Sequence, residues 1–277
     1  MQPKSAEPGQ RPPLDQAHGL RQMFAANEVC YVPLVHNPQV VFGGVVMERL
    51  CAALAEQGLN TLVVDAADSA SPPHELAPVD LAACVEPLSN RVSYLAARGL
   101  PMHYLDARAT TQAFLLALHD ASPQANVVLV HAGAADLRRM FLGRTPRPVL
   151  LVGAQAASLT DAYGSMKLLS QRLGALTYDV VFTADVSERR AQGIVTRLSD
   201  CADRFLGAAV GHTAVVEPGS ASRALVRPDL KRLVQTQLKG LRKPDEAQMA
   251  SRSALIAPAP VPAPSVQARV GSRSRLN

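Results

Sequence analysis

The residues that could do chemistry sit just behind three apolar runs. Val29-Cys30-Tyr31-Val32 leads to His36, Asn37-Pro38 and then Phe42-Gly43-Gly44. Thr61 to Val64 ends in Asp65, with Asp68 close behind, and Asn126 to Val130 is followed by His131. Two chemistries suit such residues. A glycine-rich loop between a strand and a helix can cradle an anion, because backbone N–H groups reach it at the helix N-terminus with no Cβ in the way. Imidazoles and carboxylates can hold a metal ion. Neither set is complete. Gly43 and Gly44 have a simpler use as a tight turn before a helix. His36 and His131 lack a third ligand at fixed spacing, so they read as polar strand-end residues and no metal is expected. Asp65 and Asp68 read as carboxylates without a catalytic role, and no catalytic residue is assigned.

The elements that would position these residues alternate. Val45 to Gln57 is predicted helical, with Val46, Leu50 and Leu54 on one face and Gly58 as its stop. Further strands are expected at Thr61–Asp65, within 98–105, at 126–130, 148–153 and 178–182, with a short last one at 214–216. Residues 33–44 are expected as a loop and 69–87 as a Pro-rich connector. Helices are expected at 110–119, from Ser158-Leu159-Thr160-Asp161 (a capping-box variant) to Leu173, and over 187–206 with Ile194, Leu198, Cys201 and Phe205 on one face. Strands alternating with helices predict an α/β fold: a doubly wound, mostly parallel sheet flanked by helices.

The chain has 277 residues, enough for one such domain with tails, and its 48% hydrophobic content supports a full core. Aromatics are 4% and Trp is absent, which argues against stacking-based nucleic-acid binding, so none is expected. Net charge is +5, with much of the excess near the C-terminus. Cys30, Cys51, Cys84 and Cys201 show no paired spacing and read as reduced and mostly buried, hence a cytoplasmic setting. No signal peptide and no apolar run of membrane-spanning length is read. Residues 1–13 are Pro-rich and read as disordered. Residues 14–27 carry a short helix with Leu14, Ala17, Leu20 and Phe24 on one face, suited to a partner. The domain is expected over 28–243. It closes with an amphipathic helix within 222–243 whose stripe is Leu230, Leu233, Val234, Leu238 and Leu241. That helix packs on the domain in one reading and lies on anionic lipid in the other. From Pro244 to Asn277 the composition reads as a disordered basic tail.

Three stretches together resemble the MinD/ParA-type P-loop ATPases and, within them, the flagellar-number regulators FlhG/FleN. Asp15-Gln16-Ala17-His18-Gly19-Leu20-Arg21 is similar to the subfamily's N-terminal Asp-Gln-Ala-x-x-Leu-Arg motif. Ala55-Glu56-Gln57-Gly58 through Val64-Asp65-Ala66 resembles the family's first helix and second strand. Ser158-Leu159-Thr160-Asp161-Ala162-Tyr163 resembles a family helix start. The resemblance implies the SIMIBI/MinD-like P-loop NTPase fold, ATP and Mg²⁺ as the family's cofactors, and an FlhF-type GTPase as a partner. In that family the glutamine matched by Gln16 enters the partner's site, while Asp15, Leu20 and Arg21 match the docking positions. Flagellar basal-body proteins or a transcription factor are further partners of such a regulator, and its setting is the cytoplasm, at the inner membrane or cell pole.

The departures from the family lie at its nucleotide loop. Aligned on Ala55 to Gly58, that loop falls on His36 to Gly44. Pro38 stands at the signature lysine, Gln39-Val40 at the paired glycines and Phe42 at the last glycine. Gly43 stands at the phosphate-binding lysine and Gly44 at the Mg²⁺-binding threonine. No lysine occurs between Lys4 and Lys167. Phosphates lose their point charge and Mg²⁺ its hydroxyl ligand, and Phe42 is expected to intrude where backbone must approach a phosphate. At the metal shell His131 stands for an aspartate, and of the Asp-x-Asp pair Asp65 alone is kept. His36, Pro38, Phe42, Gly43, Gly44, Asp65 and His131 thus outline a vestigial nucleotide pocket, and no cofactor is expected. The expected function is that of a pseudo-ATPase regulating flagellar number or placement. The alternatives are an active MinD/ParA-like ATPase with an unusual phosphate loop and a MinD/ParA-like scaffold in a non-flagellar pathway.

Overall fold

The computed structural model describes residues 29–183, 187–219 and 225–239. The expectations for 1–13, for the helix over 14–27 with Asp15, Gln16, Leu20 and Arg21, and for 244–277 lie outside the described residues. In chain order the elements are β1 (Cys30–Val35), α1 (Gly43–Ala55), β2 (Thr61–Asp65), β3 (Glu86–Pro87), β4 (Val92–Ala96), α2 (Gln112–Ala121), β5 (Val127–Ala132), α3 (Ala134–Met140), β6 (Val149–Gly153), α4 (Ala156–Leu173), β7 (Thr177–Thr183), α5 (Glu188–Leu206), β8 (Ala209–Val216) and α6 (Pro228–Lys239).

The strands form one sheet in the order β3-β4-β2-β5-β1-β6-β7-β8. All pairs are parallel except the two-residue edge pairing of β3 with β4. Alternate residues serve opposite faces. On β2, Leu62 and Val64 join one core with α2, α4 and α5, while Val63 joins the other with α1 and α6. Both faces are covered, which is why these strands read as continuous apolar runs.

Pro33 lies inside β1, opposite Val130 of β5. It costs no ladder bond. Cys30 donates to Asn126 and His36 to Ala132, so the even-numbered N–H groups face β5. Pro33 therefore presents its missing N–H toward β6, where pairing begins only at Leu34.

The amphipathic helix expected within 222–243 is α6, and it packs on the domain. Leu230, Leu233 and Val234 are buried against the sheet. Polar ties also hold it, among them Lys231 Nζ to Glu56 at 2.7 Å, the Val215 N–H to Asp229 at 3.1 Å, and Gln237 Nε2 to the buried Asp179 carboxylate at 2.8 Å. Asp179 also takes Arg147 Nε at 2.9 Å and the His212 N–H at 2.7 Å. Among the described residues no helix is long and apolar enough to cross a membrane.

Several expectations are corrected. The strand placed within 98–105 is instead β4 at Val92–Ala96, because Gly99 takes a positive φ of 73° and Pro101 lies in a 3-10 turn over Leu100–Tyr104. The loop expected over 33–44 begins only at His36, since Leu34 and Val35 pair with both neighbouring strands. Gly43 and Gly44 do not form a turn before the helix but are its first two residues. Ser158 is not a cap: α4 begins at Ala156 with Gln155 as N-cap, and Ser158 is fully buried. Phe205 does not share the buried face of α5; it is 63% exposed, and Ala191, Val195 and Ala202 fill that face with Ile194 and Leu198. Of the cysteines, all free, Cys30 and Cys51 are buried while Cys84 and Cys201 are only partly so.

Candidate functional site

The site follows from strand order. β1 leads away toward β2, and β5 leads the other way toward β6, so the sheet reverses winding at the β5–β1 pair. Ligands of open α/β sheets bind in the crevice beyond the strand C-terminal ends at such a point. Here that crevice is a cleft of ≈ 580 Å³ lined by residues that include His36, Pro38, Gly43, Gly44, Asp65, Asp68 and His131.

β2, β5 and β1 are neighbours, and each ends in a polar group. His131 Nδ1 lies 2.8 Å from Asp65 Oδ1. His36 Nδ1 lies 3.2 Å from His131 Nε2. Asp65 Oδ1 also accepts the Ala67 N–H at 3.4 Å. With Asp65 as a carboxylate, His131 donates its Nδ1–H, and its Nε2 lone pair accepts the Nδ1–H of His36. The result is a three-member chain running from the floor to the rim: Asp65 and His131 are buried and His36 is half-buried. Burial pushes the His36 imidazole below its ordinary range and His131 adds to this, while Asp65 and Asp68 pull the other way. This chemistry can pass a proton, accept a hydrogen bond or bind a cation.

The loop over the cleft is fastened from beneath. Asn37 is 2% exposed. Its Nδ2 lies 2.9 Å from Leu151 O, Ser158 O and Ser158 Oγ, and its Oδ1 accepts the Gln39 N–H at 3.0 Å. Ser158 Oγ in turn accepts the Gly153 N–H at 2.7 Å. Asn37 therefore ties β1, β6 and α4 together. Sequence reading missed it, because Asn before Pro is an ordinary turn signal.

The expected site residues divide. His36, Pro38, Gly43, Gly44, Asp65 and His131 come together in the cleft. Phe42 does not intrude: it is the N-cap residue of α1 and 49% exposed, and it is absent from the cleft wall, where Val40 and Val41 stand. His131 is the side chain that approaches the first turn of α1, at ordinary contact distance: a Cβ added to Gly43 would meet its Cε1 at 3.7 Å, while one on Gly44 would meet open space. Among the described residues no lysine or arginine lines the cleft, and no three His, Cys, Asp or Glu are grouped to hold a metal ion.

No protein-family model matches the chain. The chain is similar to the antiactivator FleN of Pseudomonas aeruginosa, 27% identical over 113 residues, a match that covers 40% of this chain and 40% of that protein. In structure it is similar to a cobyrinic acid a,c-diamide synthase of Mycobacterium smegmatis, with a TM-score of 0.54 and 14% identity over 78% of this chain and 96% of that one. It is likewise similar to a plasmid partition protein of Borrelia burgdorferi, with a TM-score of 0.53 and 10% identity over 76% of this chain and 98% of that one. The fold is therefore shared with these two proteins, and a stretch of the sequence is similar to part of FleN.

Proposed function

We propose that this chain is a FleN-like regulator that acts by contact with other proteins, without an ATP-driven switch. The observation that carries this reading is the composition of the cleft. A triphosphate with Mg²⁺ needs a fixed cation beside its phosphates, a hydroxyl on the metal and open space at the helix N-terminus. The cleft offers Asp65 and Asp68 where a polyanion would have to sit, with no lysine or arginine among its described lining residues. Gly44 supplies no hydroxyl where the metal would need one. The residues present do not fit Mg-ATP.

The contacts are assigned to the N-terminal stretch. Asp15-Gln16-Ala17 and Leu20-Arg21 match the subfamily motif for an FlhF-type GTPase. Gln16 would orient the attacking water in the partner's site, as a glutamine does in GTP hydrolysis. Asp15, Leu20 and Arg21 would hold the dock. The antiactivator name of the relative adds an activator as a second class of target, and the resemblance to flagellar-number regulators gives control of flagellar number or placement as the outcome. The buried stripe of α6 favours a helix packed on the domain over one lying on lipid.

The test is the GTPase rate of a purified FlhF-type protein with and without the full chain. Stimulation that is lost in Gln16→Ala, with the thermal melt unchanged, supports the reading. An unchanged rate with the wild-type chain contradicts it.

A further inference from the structure

The Asp65–His131–His36 chain has no task in a regulator that works only by contact, yet its geometry is specific. His36 Nδ1 and His131 Nε2 face each other at 3.2 Å. Two imidazole nitrogens bound at ~2.0–2.1 Å to one tetrahedral ion lie roughly 3.3–3.4 Å apart. The pair therefore already has the separation of two ligands on one metal. The rings meet edge to face, with 71° between their planes and centroids 5.1 Å apart, so they do not stack.

The second observation is Asp65. Its carboxylate holds His131 Nδ1 at 2.8 Å, which keeps the proton on Nδ1 and leaves Nε2 as an aimed lone pair. A carboxylate behind a histidine is how ligating imidazoles are oriented and made more basic. The third observation is access and sign. His36 and His131 both line a cleft of ≈ 580 Å³ whose charged lining residues are Asp65 and Asp68.

We propose that His36 Nδ1 and His131 Nε2 bind one late first-row transition-metal ion, with Asp65 orienting His131. Imidazole donors suit zinc, copper, nickel or cobalt, whereas magnesium and calcium prefer oxygen. Because no third described side chain is grouped with them, the remaining positions belong to water, and Asp68 contributes charge from the cleft wall. Binding replaces the His36–His131 hydrogen bond, and His36 moves its proton from Nδ1 to Nε2, so no net proton is released.

This inference does not rest on the regulator reading, and its failure leaves that reading untouched. The full chain, stripped with a chelator and desalted, is titrated with Zn²⁺ by calorimetry and with Co²⁺ by visible absorbance. The expected result is one saturable equivalent of Zn²⁺ and a Co²⁺ band that Zn²⁺ displaces. His36→Ala should abolish the band, and Asp65→Asn should weaken Zn²⁺ binding by about 10–100-fold. His212→Ala, away from the cleft, should change neither. Thermal melts accompany each variant, and His36→Gln, which can still donate to His131, serves if His36→Ala unfolds. Absence of saturable uptake by the wild-type chain, or uptake unchanged in a folded His36 variant, overturns the proposal.

Discussion

Asn37→Ala tests how the cleft loop is held. Asn37 is 2% exposed and its amide group reaches Leu151 O, Ser158 O and Ser158 Oγ, each at 2.9 Å, while it accepts from Gln39 at 3.0 Å. The Nδ2 group has two hydrogens, so one of its three contacts is shared and the side chain makes about three bonds in all. At roughly 0.5–1.5 kcal/mol net for each, truncation should cost about 3 kcal/mol. For a domain of this size that lowers Tm by roughly 6–12 °C. Ser158→Ala removes the acceptor for both Asn37 and the Gly153 N–H and should cost about 2 kcal/mol. Because the two residues share a bond, the double variant should lose less than the sum of the singles, by at least about 0.5 kcal/mol. Urea melts monitored by far-UV circular dichroism, at unchanged m, provide the numbers. A loss under about 1 kcal/mol for Asn37→Ala, or strict additivity of the pair, would refute the view that this side chain bolts the loop to β6 and α4.

Other expectations can be checked alongside. Asp179 is fully buried and gathers Arg147, Gln237 and the His212 N–H. Asp179→Ala leaves a cation half inside without its partner, and a loss of about 3 kcal/mol in chemical denaturation is expected. Leu233 is fully buried beneath α6, and Leu233→Ala should cost about 2–4 kcal/mol, read by calorimetry. Burial pushes the thiols of Cys30 and Cys51 up to about 12. At neutral pH both should resist alkylation until the chain unfolds, while the less buried Cys84 and Cys201 are modified first, as peptide mapping by mass spectrometry will show.

Much of the fold is legible in the chain. β2, β5 and β6 are buried on both faces, so each carries an apolar run next to turn residues, and β7 carries one after the buried Asp179. β4 escapes because it lies next to the edge, where only the two residues of β3 pair outside it, and Val92-Ser93-Tyr94-Leu95-Ala96 is correspondingly half-buried. The apolar segment after it, Leu100-Pro101-Met102, imitates a strand in composition, but Pro101 and the positive φ of Gly99 forbid one. Phe205 matched the helical period, yet it stands near the C-terminal end of α5, and period alone says nothing of where the neighbouring element stops.

The site was legible in residue types and not in connections. His36, Asp65 and His131 each announce themselves behind an apolar run. Their union depends on β2, β5 and β1 lying side by side, an order that no local pattern encodes. The same holds for Asn37, whose partners on β6 and α4 are more than a hundred positions away. Phe42 was misjudged because alignment to a loop fixes sequence position and not side-chain direction.

The central claim is that the cleft over His36 to Gly44 no longer grips a triphosphate, and a titration of the full chain with Mg-ATP measures it most directly. The account predicts no saturable heat and no change in Tm. A ligand held at a hundred times its Kd would stabilise the native state by about 2.7 kcal/mol, which is roughly 5–11 °C in Tm for a domain of this size. A saturable micromolar isotherm accompanied by such a shift would contradict it.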